Sequence, residues 1–315
     1  MITYLVRRLI TSIIVVVGVS IFIFILLHLA YPSPARAVLG LSARPAQVNA
    51  WNLANGYDNP VIVQYWHYID GLLHGNLGYS YVENQSVLAL FQERTARSVY
   101  LSGISLVFAL AIAIPLGIFQ AVKRNSIGDN VATSAAFILY SMPSFFLGLI
   151  LIQVLALSFP IFSFEGSQSQ SIWVVIGDWN AMTLPIATLT LITVASYSRY
   201  MRSSSMDVLA QDYIKVARAK GLPERLVLFR HLARNASLPM VTLVGISLPG
   251  LLAGNLITES LFNYPGLGLL FYESLQKVDY PVMLAYTLAG AVLVVVGNLI
   301  ADIALTVADP RIRLA

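Results

Sequence analysis

Six stretches of this chain are apolar and long enough to cross a bilayer as helices, and they set its fold class. A spanning helix needs about 20 residues, because the hydrocarbon core is about 30 Å thick. Hydrophobic residues make up 57% of the 315 residues and charged residues only 11%. A soluble domain needs a more polar exterior than this composition provides. The sequence predicts an all-α membrane protein with six transmembrane helices, near residues 9–30, 99–122, 131–159, 183–201, 239–261 and 282–307.

The first stretch has one competing interpretation, a cleaved signal peptide, because Arg7 and Arg8 precede the apolar run. The run extends from Leu9 to Leu29, which suits a complete span better than the short apolar region of a signal peptide. The residues after it offer no small-x-small cleavage pattern. We therefore expect a retained first helix.

The fourth and fifth stretches are less regular than the others. Polar residues interrupt them, namely Ser196, Ser198, Asn255 and Thr258. Four prolines also lie inside the predicted spans, at Pro115, Pro143, Pro185 and Pro249. A helical bundle tolerates such prolines because neighbouring helices satisfy the freed backbone groups.

The distribution of Lys and Arg predicts the orientation, because cytoplasmic connections carry an excess of these residues. The N-terminus, the loops at 123–130 and 199–238, and the C-terminal tail together hold 14 of the 19 basic residues. Most of the others lie in the long loop at 31–98, and long loops cross the membrane largely regardless of charge. Both termini are therefore predicted to be cytoplasmic.

The same pattern divides the chain into two parts. Residues 1–98 would hold the first transmembrane helix and a long extracytoplasmic loop, and residues 99–315 a five-helix core with a cytoplasmic loop at 203–238. Aromatic residues of the outer loop, including Trp51, Tyr65 and Trp66, suit the headgroup zone. The loop is either a cap that packs on the bundle or a surface for an external partner, and the sequence leaves both open.

The cytoplasmic loop at 203–238 predicts two helices joined by a tight turn. Gly221 is a natural residue to end the first helix, and Pro223 is tolerated in the first turn of the second. Apolar or amphipathic residues recur at helical spacing in the first helix, at Met206, Leu209, Tyr213, Val216 and Lys220. In the second helix they recur at Leu226, Phe229, Leu232, Ala233 and Ala236.

Two partners suit such a loop. A rigid helical knob with basic residues around an apolar tip fits a groove of another protein. A basic amphipathic helix can also lie on anionic lipid. A lipid-surface helix has no need for a fixed Gly-x-Pro turn, so the turn at Gly221 and Pro223 favours protein docking.

Several other activities lack the residues they need. The chain has no cysteine, and its four histidines, scattered along the sequence, form no metal-ligand spacing, so we expect neither a metal site nor a cofactor. It also lacks a Gly-x4-Gly-Lys-Ser/Thr phosphate loop and any nucleophile–base constellation, which predicts no catalytic residue and no ATP hydrolysis by this chain. A net charge of +4 does not indicate a nucleic-acid partner.

The chain resembles the dipeptide/oligopeptide permease family of bacterial ABC importers, B-type subunit. The cytoplasmic loop is similar to the "EAA" loop of these permeases, with DYIKVARAKGL at 212–222 and RHLARNASLP at 230–239. Lys215-Val216-Ala217 stands in place of a literal Glu-Ala-Ala. Further matches are YLVRRL at 4–9, QY at 64–65, GLLHGNLG at 71–78, IPLG at 114–117, ESLFNYPGLG at 259–268 and DPRIR at 309–313.

The resemblance implies a type I ABC importer permease fold in a bacterial plasma membrane. The chain would form half of a translocation pore, with a homologous second permease subunit, two ATP-binding subunits and an extracytoplasmic substrate-binding protein as partners, and lipid around it. Peptides are the expected substrate, with nickel complexes, glutathione and sugars as alternatives. The implied ATPase-coupling loop consists of Ala217, Lys220, Gly221, Leu222, Pro223, Glu224 and Arg225. The substrate-contacting residues are not predicted.

A second class of transporter remains open, an ion-coupled secondary carrier. Such carriers place ionisable residues at mid-membrane. Glu259 lies near the outer end of the fifth predicted span and Asp302 near the cytoplasmic end of the sixth. The near absence of other ionisable residues in the spans favours the ATP-driven importer, with Asp302 as a helix-packing group.

Overall fold

The protein is almost entirely helical. The computed structural model describes residues 2–31, 33–40 and 42–308, with residues 2–6, 9, 248–249, 251–253 and 301–308 described as backbone only. The side chain of Asp302 and the terminal motif at 309–313 therefore lie outside the described residues. The N-terminal part comprises α1 Ile2–Ala30, α2 Ala35–Leu39, α3 Pro45–Asn55, α4 Val61–Leu73 and the short antiparallel strands β1 Tyr79–Ser80 and β2 Gln85–Ser86.

The remainder contains the longest helices and the loop between them. Its elements are α5 Val87–Val122, α6 Ile127–Ser141, α7 Ser144–Ile152 with a π-helical extension Gln153–Ser158, α8 Ile172–Gly177, α9 Trp179–Leu209, α10 Asp212–Ala219, α11 Glu224–Leu226, a π-helix Val227–Ala233, α12 Arg234–Ala236, α13 Leu238–Ala253, α14 Leu256–Leu261, α15 Leu267–Lys277 and α16 Tyr280–Ala308.

Four helices are long and apolar enough to span a membrane among the described residues. They are Ile10–Ala30 of α1, α5, α9 and Tyr280–Ile300 of α16, and the bent pair α6–α7 with its extension makes a fifth if it counts as one span. These segments make the chain a multi-pass helical membrane protein. Helices α1, α5, α9 and α16 correspond to the first, second, fourth and sixth predicted spans. The bent pair α6–α7 corresponds to the third.

The third predicted span is not one straight helix. Its two halves, α6 and α7, meet at an angle of 104°. The break falls at Met142, whose φ of −78° and ψ of 133° are extended, immediately before Pro143. The residue before a proline is driven out of helical geometry by the proline ring, and Pro143 supplies that constraint here.

The fifth predicted span, 239–261, is also interrupted. α13 ends at Ala253, and Gly254 has a φ of +84° that few other residues adopt. A Cβ at Gly254 would lie 2.8 Å from Glu259 Oε1 and 2.9 Å from the backbone nitrogen of Gly268, so a side chain has no room. The chain restarts as α14 at Leu256, so the predicted span is divided between α13 and α14.

The parallel pair α5 and α9 forms the centre of the fold. Leu101 packs near Met182 towards one end, and Ala113 packs near Tyr197 towards the other. A Cβ on Gly117 of α5 would lie 2.6 Å from the Met201 side chain, so the two helices approach closely there because Gly117 has none. α5 begins at Val87, twelve residues before the predicted start, because the Ser86 side chain accepts the first-turn N–H of Ala89.

The N-terminal cap, defined as residues 33–86, packs on α1 and α16. The Ser20 and Tyr65 hydroxyls are 2.8 Å apart, and the Phe24 ring packs on Tyr65, Tyr68 and Tyr280. These contacts agree with the interpretation of the loop as a cap on the bundle. The division of the chain between residues 98 and 99 stays a prediction, and α5 runs across it.

Candidate functional site

The loop between α9 and α13 forms a compact helical hairpin, defined here as residues 212–236. α10 is its first arm and the run α11, π-helix and α12 is its second. Gly221 has a φ of +73°, and its N–H donates to the Arg218 carbonyl at 2.9 Å. Pro223, extended at φ −63° and ψ 140°, immediately precedes α11. The predicted helix, glycine turn and helix are confirmed.

The hairpin has its own small hydrophobic core. Ile214, Ala217 and Val227 are buried together, with Val208, Leu209 and Leu222 packed against them. The sequence predicts one amphipathic helix with Leu209, Tyr213 and Val216 at helical spacing, but only Leu209 packs on this core, and Tyr213 and Val216 are 43% and 52% exposed. α9 ends at Leu209 and Gln211 is extended, so α10 restarts with a different rotational phase.

The predicted face of the second helix is also only partly right. Leu232 and Ala236 are buried and pack against α5 and α9, but the Phe229 side chain is 77% exposed. The intervening turn is π-helical, which inserts an extra residue and rotates the side chains that follow. Phe229, Tyr213 and Val216 are thus exposed apolar side chains of one compact hairpin.

The seven predicted coupling residues occupy two positions in the hairpin. Ala217 and Leu222 belong to its core or border it, so they support the tip from inside. The other five, Lys220, Gly221, Pro223, Glu224 and Arg225, are exposed at the turn.

A salt bridge closes the hairpin below its turn. Arg218 donates from Nη2 to Glu224 Oε1 at 2.6 Å and from Nε to Oε2 at 3.2 Å. This hydrogen-bonded carboxylate raises the pKa of Arg218, which is therefore charged throughout the accessible pH range. Lys215 pairs with Asp212 at 2.8 Å. Exposed cations at Lys220 and Arg225 flank the turn.

A second feature is a cavity of about 380 Å³ between α5, α9 and α13. Its polar lining consists of hydroxyl and amide groups from Ser102, Ser105, Thr193, Ser196, Tyr197, Ser247 and Asn255. Asn255 donates to the Ser102 hydroxyl at 2.7 Å, and the hydroxyls of Tyr197 and Ser247 are 2.5 Å apart. No Asp, Glu, Lys or Arg is among the described residues that line it.

The apolar pattern of the sequence does not predict this cavity. In that pattern, Ser196 and Asn255 only interrupt apolar segments. The available signal was the spacing of hydroxyl residues, since Ser102 and Ser105 are three apart on α5 and Thr193 and Ser196 three apart on α9. Residues three apart on a helix share a face, so the two pairs predict polar faces that meet only once the helices are packed.

Glu259 has a structural position rather than a place in that cavity. It is fully buried, and its carboxylate accepts hydrogen bonds from the Ser98 hydroxyl at 2.8 Å and from the backbone N–H groups of Asn255, Gly268 and Leu269 at 3.0, 2.7 and 3.2 Å. The N–H groups of Gly268 and Leu269 lie in the first turn of α15, where a carboxylate complements the helix dipole. The ESLFNYPGLG segment therefore ties α14 and α15 to α5.

These features define a multi-pass helical membrane protein with a compact basic hairpin on one loop and a polar cavity between its central helices. The chain belongs to the family of binding-protein-dependent transport system inner membrane components. The model of this family matches residues 113–314. The N-terminal membrane-component family of the same systems matches residues 1–102. The predicted resemblance to peptide permeases is thereby confirmed, and the chain is a transport permease rather than a catalytic enzyme.

Individual relatives align over nearly the complete chain. The oligopeptide transport system permease protein AppB of Bacillus subtilis is 37% identical, over 99% of this chain and 100% of its own length. The dipeptide transport system permease protein DppB of Escherichia coli K12 is 35% identical, over 99% of both chains. The glutathione transport system permease protein GsiC of Escherichia coli O6:H1 is 34% identical, again over 99% of both.

Proposed function

We propose that this chain forms one half of the translocation pore of an ATP-driven peptide importer in a bacterial plasma membrane. A homologous second permease subunit supplies the other half, two ATP-binding subunits drive it, and an extracytoplasmic binding protein delivers the peptide. The observation that carries the proposal is full-length similarity to permeases named for oligopeptides and dipeptides. The relative named for glutathione fits the same proposal, since glutathione is itself a tripeptide.

In this proposal the chain crosses the membrane six times and both termini are cytoplasmic. The long helices α1, α5, α9 and α16 provide four crossings, the bent pair α6–α7 a fifth, and α13 with α14 the sixth. The concentration of Lys and Arg in the connections on the hairpin side supports this orientation.

The helical hairpin is the proposed docking site for an ATP-binding subunit. Its exposed apolar side chains, Tyr213, Val216 and Phe229, would enter a groove of that subunit. Lys220, Gly221, Pro223, Glu224 and Arg225 would contact it at the turn, over the support of Ala217 and Leu222. A rigid hairpin suits this role, because a motion of the ATPase is transmitted only by a contact that resists deformation.

The polar cavity between α5, α9 and α13 is the proposed contribution of this chain to the substrate path. Peptides differ in side chains and charge but share backbone amides, which hydroxyl and amide groups bind. The uncharged lining of Ser102, Ser105, Thr193, Ser196 and Asn255 is compatible with that variety. An ion-coupled carrier would instead require an ionisable group in such a position.

Reconstitution tests the proposal against the carrier alternative. The chain, its second permease subunit and the two ATP-binding subunits would be placed in proteoliposomes and given loaded binding protein on the substrate side. We expect uptake of labelled peptide that requires ATP and stops when the binding protein is omitted. A control vesicle would hold this chain alone under a proton gradient, and uptake there would establish the secondary carrier instead.

A further inference from the structure

An aromatic recess lies at the end of the molecule opposite the helical hairpin. It is a cavity of about 230 Å³, and its aromatic lining consists of Phe24, Tyr57, Tyr68, Tyr79, Tyr81 and Tyr280. The strands β1 and β2 beside it lead directly into α5, whose far end reaches the hairpin region. The 36 residues of α5 correspond to a length of about 54 Å at 1.5 Å per residue. The recess is therefore remote from the docking site.

The rings around the recess are held by one another. The Tyr57 ring stacks on Trp51 with centroids 5.4 Å apart and meets Tyr280 edge-on at 6.4 Å. The Trp51 ring also meets Tyr81 edge-on at 5.5 Å. Aromatic faces carry negative electrostatic potential and attract cations placed over them. A fixed group of rings around a cavity is thus suited to a positively charged ligand.

A buried carboxylate stands next to these rings. Asp279 lies behind the lining of the recess, is 3% exposed and accepts a hydrogen bond from the Ser80 hydroxyl, and burial raises the pKa of its carboxyl group. Burial, with the neighbouring Tyr81, Tyr280 and Asp279, raises the pKa of Tyr57, so its phenol stays neutral. Among the described residues, the recess is lined by no Lys or Arg. His67 is its one titratable nitrogen group, and Glu83 nearby is already paired with Lys277 at 3.6 Å.

The phenol oxygens of two tyrosines at the recess have no hydrogen-bond partner among the described residues. They belong to Tyr68 and Tyr280, and the Tyr280 side chain is 5% exposed. A buried hydroxyl without a partner is unfavourable, because it has lost its hydrogen bonds to water. Val278, just before Asp279 and Tyr280, has a φ of +56°, which is strained for a β-branched residue. Strain of this kind persists at ligand sites where the surrounding structure enforces it.

We propose that the aromatic recess binds an aliphatic ammonium or guanidinium group. The cation would lie against the rings of Tyr57 and Tyr81, and the carboxyl group of Asp279, which stands behind these lining residues, would attract it through space. The group comes either from a free amine or from a lysine or arginine of the docked binding protein. The source in the binding protein rests on the proposed function, and the free amine does not.

Fluorine NMR of the chain in lipid nanodiscs tests this proposal. The four tryptophans, Trp51, Trp66, Trp173 and Trp179, would be replaced by 5-fluorotryptophan and assigned by single Trp→Phe changes. Trp51 reports on the recess because it packs on two of its rings, while Trp173 and Trp179 serve as internal controls. The probes are n-butylammonium and n-butylguanidinium, with n-butanol and butyrate as neutral and anionic controls.

We expect a saturable shift of the Trp51 resonance with both cations and none with butanol or butyrate. Asp279→Asn should weaken binding tenfold or more, while Glu83→Gln, the matched control, should leave it within twofold. The comparison of probes needs no variant, so a folding defect in Asp279→Asn would not obscure the result. Equal shifts with butanol and butylammonium, or no saturable shift with either cation, would overturn the proposal.

A second arm distinguishes the two sources of the cation. Binding protein would be added to the full transport complex without any amine. A Trp51 shift that disappears after the lysines and arginines of the binding protein are chemically neutralised identifies the partner as the source. If the binding protein causes no shift and the free cation still does, the source is a free amine. ATP-dependent uptake, measured separately, reports on the proposed function independently of either result.

Discussion

Arg202 on α9 binds Asp129 at the start of α6 through two parallel hydrogen bonds. The Nε–Oδ1 distance is 3.0 Å and the Nη2–Oδ2 distance is 2.9 Å. Asp129 is 1% exposed and also accepts the Asn125 N–H and the Thr133 hydroxyl, so both of its oxygens are fully used. A bidentate arginine–carboxylate pair fixes orientation as well as distance.

A second arginine strengthens the same contact. Arg199, three residues before Arg202 on α9, lies over the rings of Phe137 and Tyr140 on α6, at 4.5 and 4.6 Å from the centroids. α6 is thus attached to the part of α9 that leads into the helical hairpin.

Removing the buried carboxylate of Asp129 should destabilise the protein. Asp129→Ala leaves the partly buried Arg202 without its partner, and breaking such a pair costs about 3–5 kcal/mol. SDS-induced unfolding of the detergent-solubilised protein would measure the loss. Asp212→Ala breaks the exposed Asp212–Lys215 pair and is the control, expected to change stability little. Equal effects of the two changes would contradict the importance given to the buried pair.

Replacement of Phe229 should weaken docking of the ATP-binding subunit without affecting the fold. The side chain is 77% exposed, so Phe229→Ala removes little internal packing. Aromatic residues at the centre of an interface commonly contribute about 2 kcal/mol or more, so affinity should fall tenfold or more. Copurification and surface plasmon resonance with the ATP-binding subunit would measure it. Phe164→Ala, an exposed aromatic residue outside the hairpin, should bind normally.

Substitutions at Gly221 should affect transport according to their tolerance of positive φ. Gly221→Pro cannot adopt a φ of +73° and removes the N–H that donates to Arg218, so we expect uncoupling. Apart from Gly221 and its two chain neighbours, no described residue has an atom within 4 Å of a Cβ built there, so backbone strain decides the outcome. Gly221→Asn should retain most activity and Gly221→Val little. The measurement is peptide transported per ATP hydrolysed, and indifference to all three changes would exclude a role for the turn.

Reversing the charges of the Arg218–Glu224 salt bridge tests its role in coupling. Glu224→Lys places two cations together where Arg218 and Glu224 are now paired, and should lower the ratio of transport to ATP hydrolysis. Because both side chains are about half exposed, the pair adds at most about 1 kcal/mol to stability, and membrane insertion should be normal. The double change Arg218→Glu with Glu224→Lys should restore coupling. Failure of that rescue would assign the effect to direct contact of Glu224 with the partner.

The sequence predicted the long helices and the glycine turn because these depend on local patterns. Apolar length identified α1, α5, α9 and α16, and Gly221 with Pro223 identified the hairpin. The rotational phase of α10 depends on the break at Gln211. No glycine or proline stands there, so the sequence does not predict the break. Pro143 allowed a bend, but its size follows from how α7 packs beside α9 and α14.

The candidate site was likewise only partly visible in the sequence. The turn residues were found, whereas Phe229 was placed on the wrong face because a π-helix cannot be recognised from apolar spacing. Contacts between segments that are distant in the sequence could not be predicted either. Ser98 and Glu259 are 161 residues apart, and Asp129 and Arg202 are 73 apart. No periodicity within one segment reports such pairs.

Two glycines on α5 offer a matched test of the α5–α9 contact. A Cβ on Gly117 would lie 2.6 Å from Met201 Cβ and 2.7 Å from the Ser198 carbonyl oxygen, so Gly117→Ala must push the helices apart. Overpacking of this kind costs about 1–3 kcal/mol. A Cβ on Gly103 would have no atom of another described segment within 4 Å, so Gly103→Ala should be neutral or stabilising by up to about 1 kcal/mol through helix propensity. Thermal unfolding in detergent would compare them, and a Gly117→Ala protein as stable as Gly103→Ala would refute the close contact.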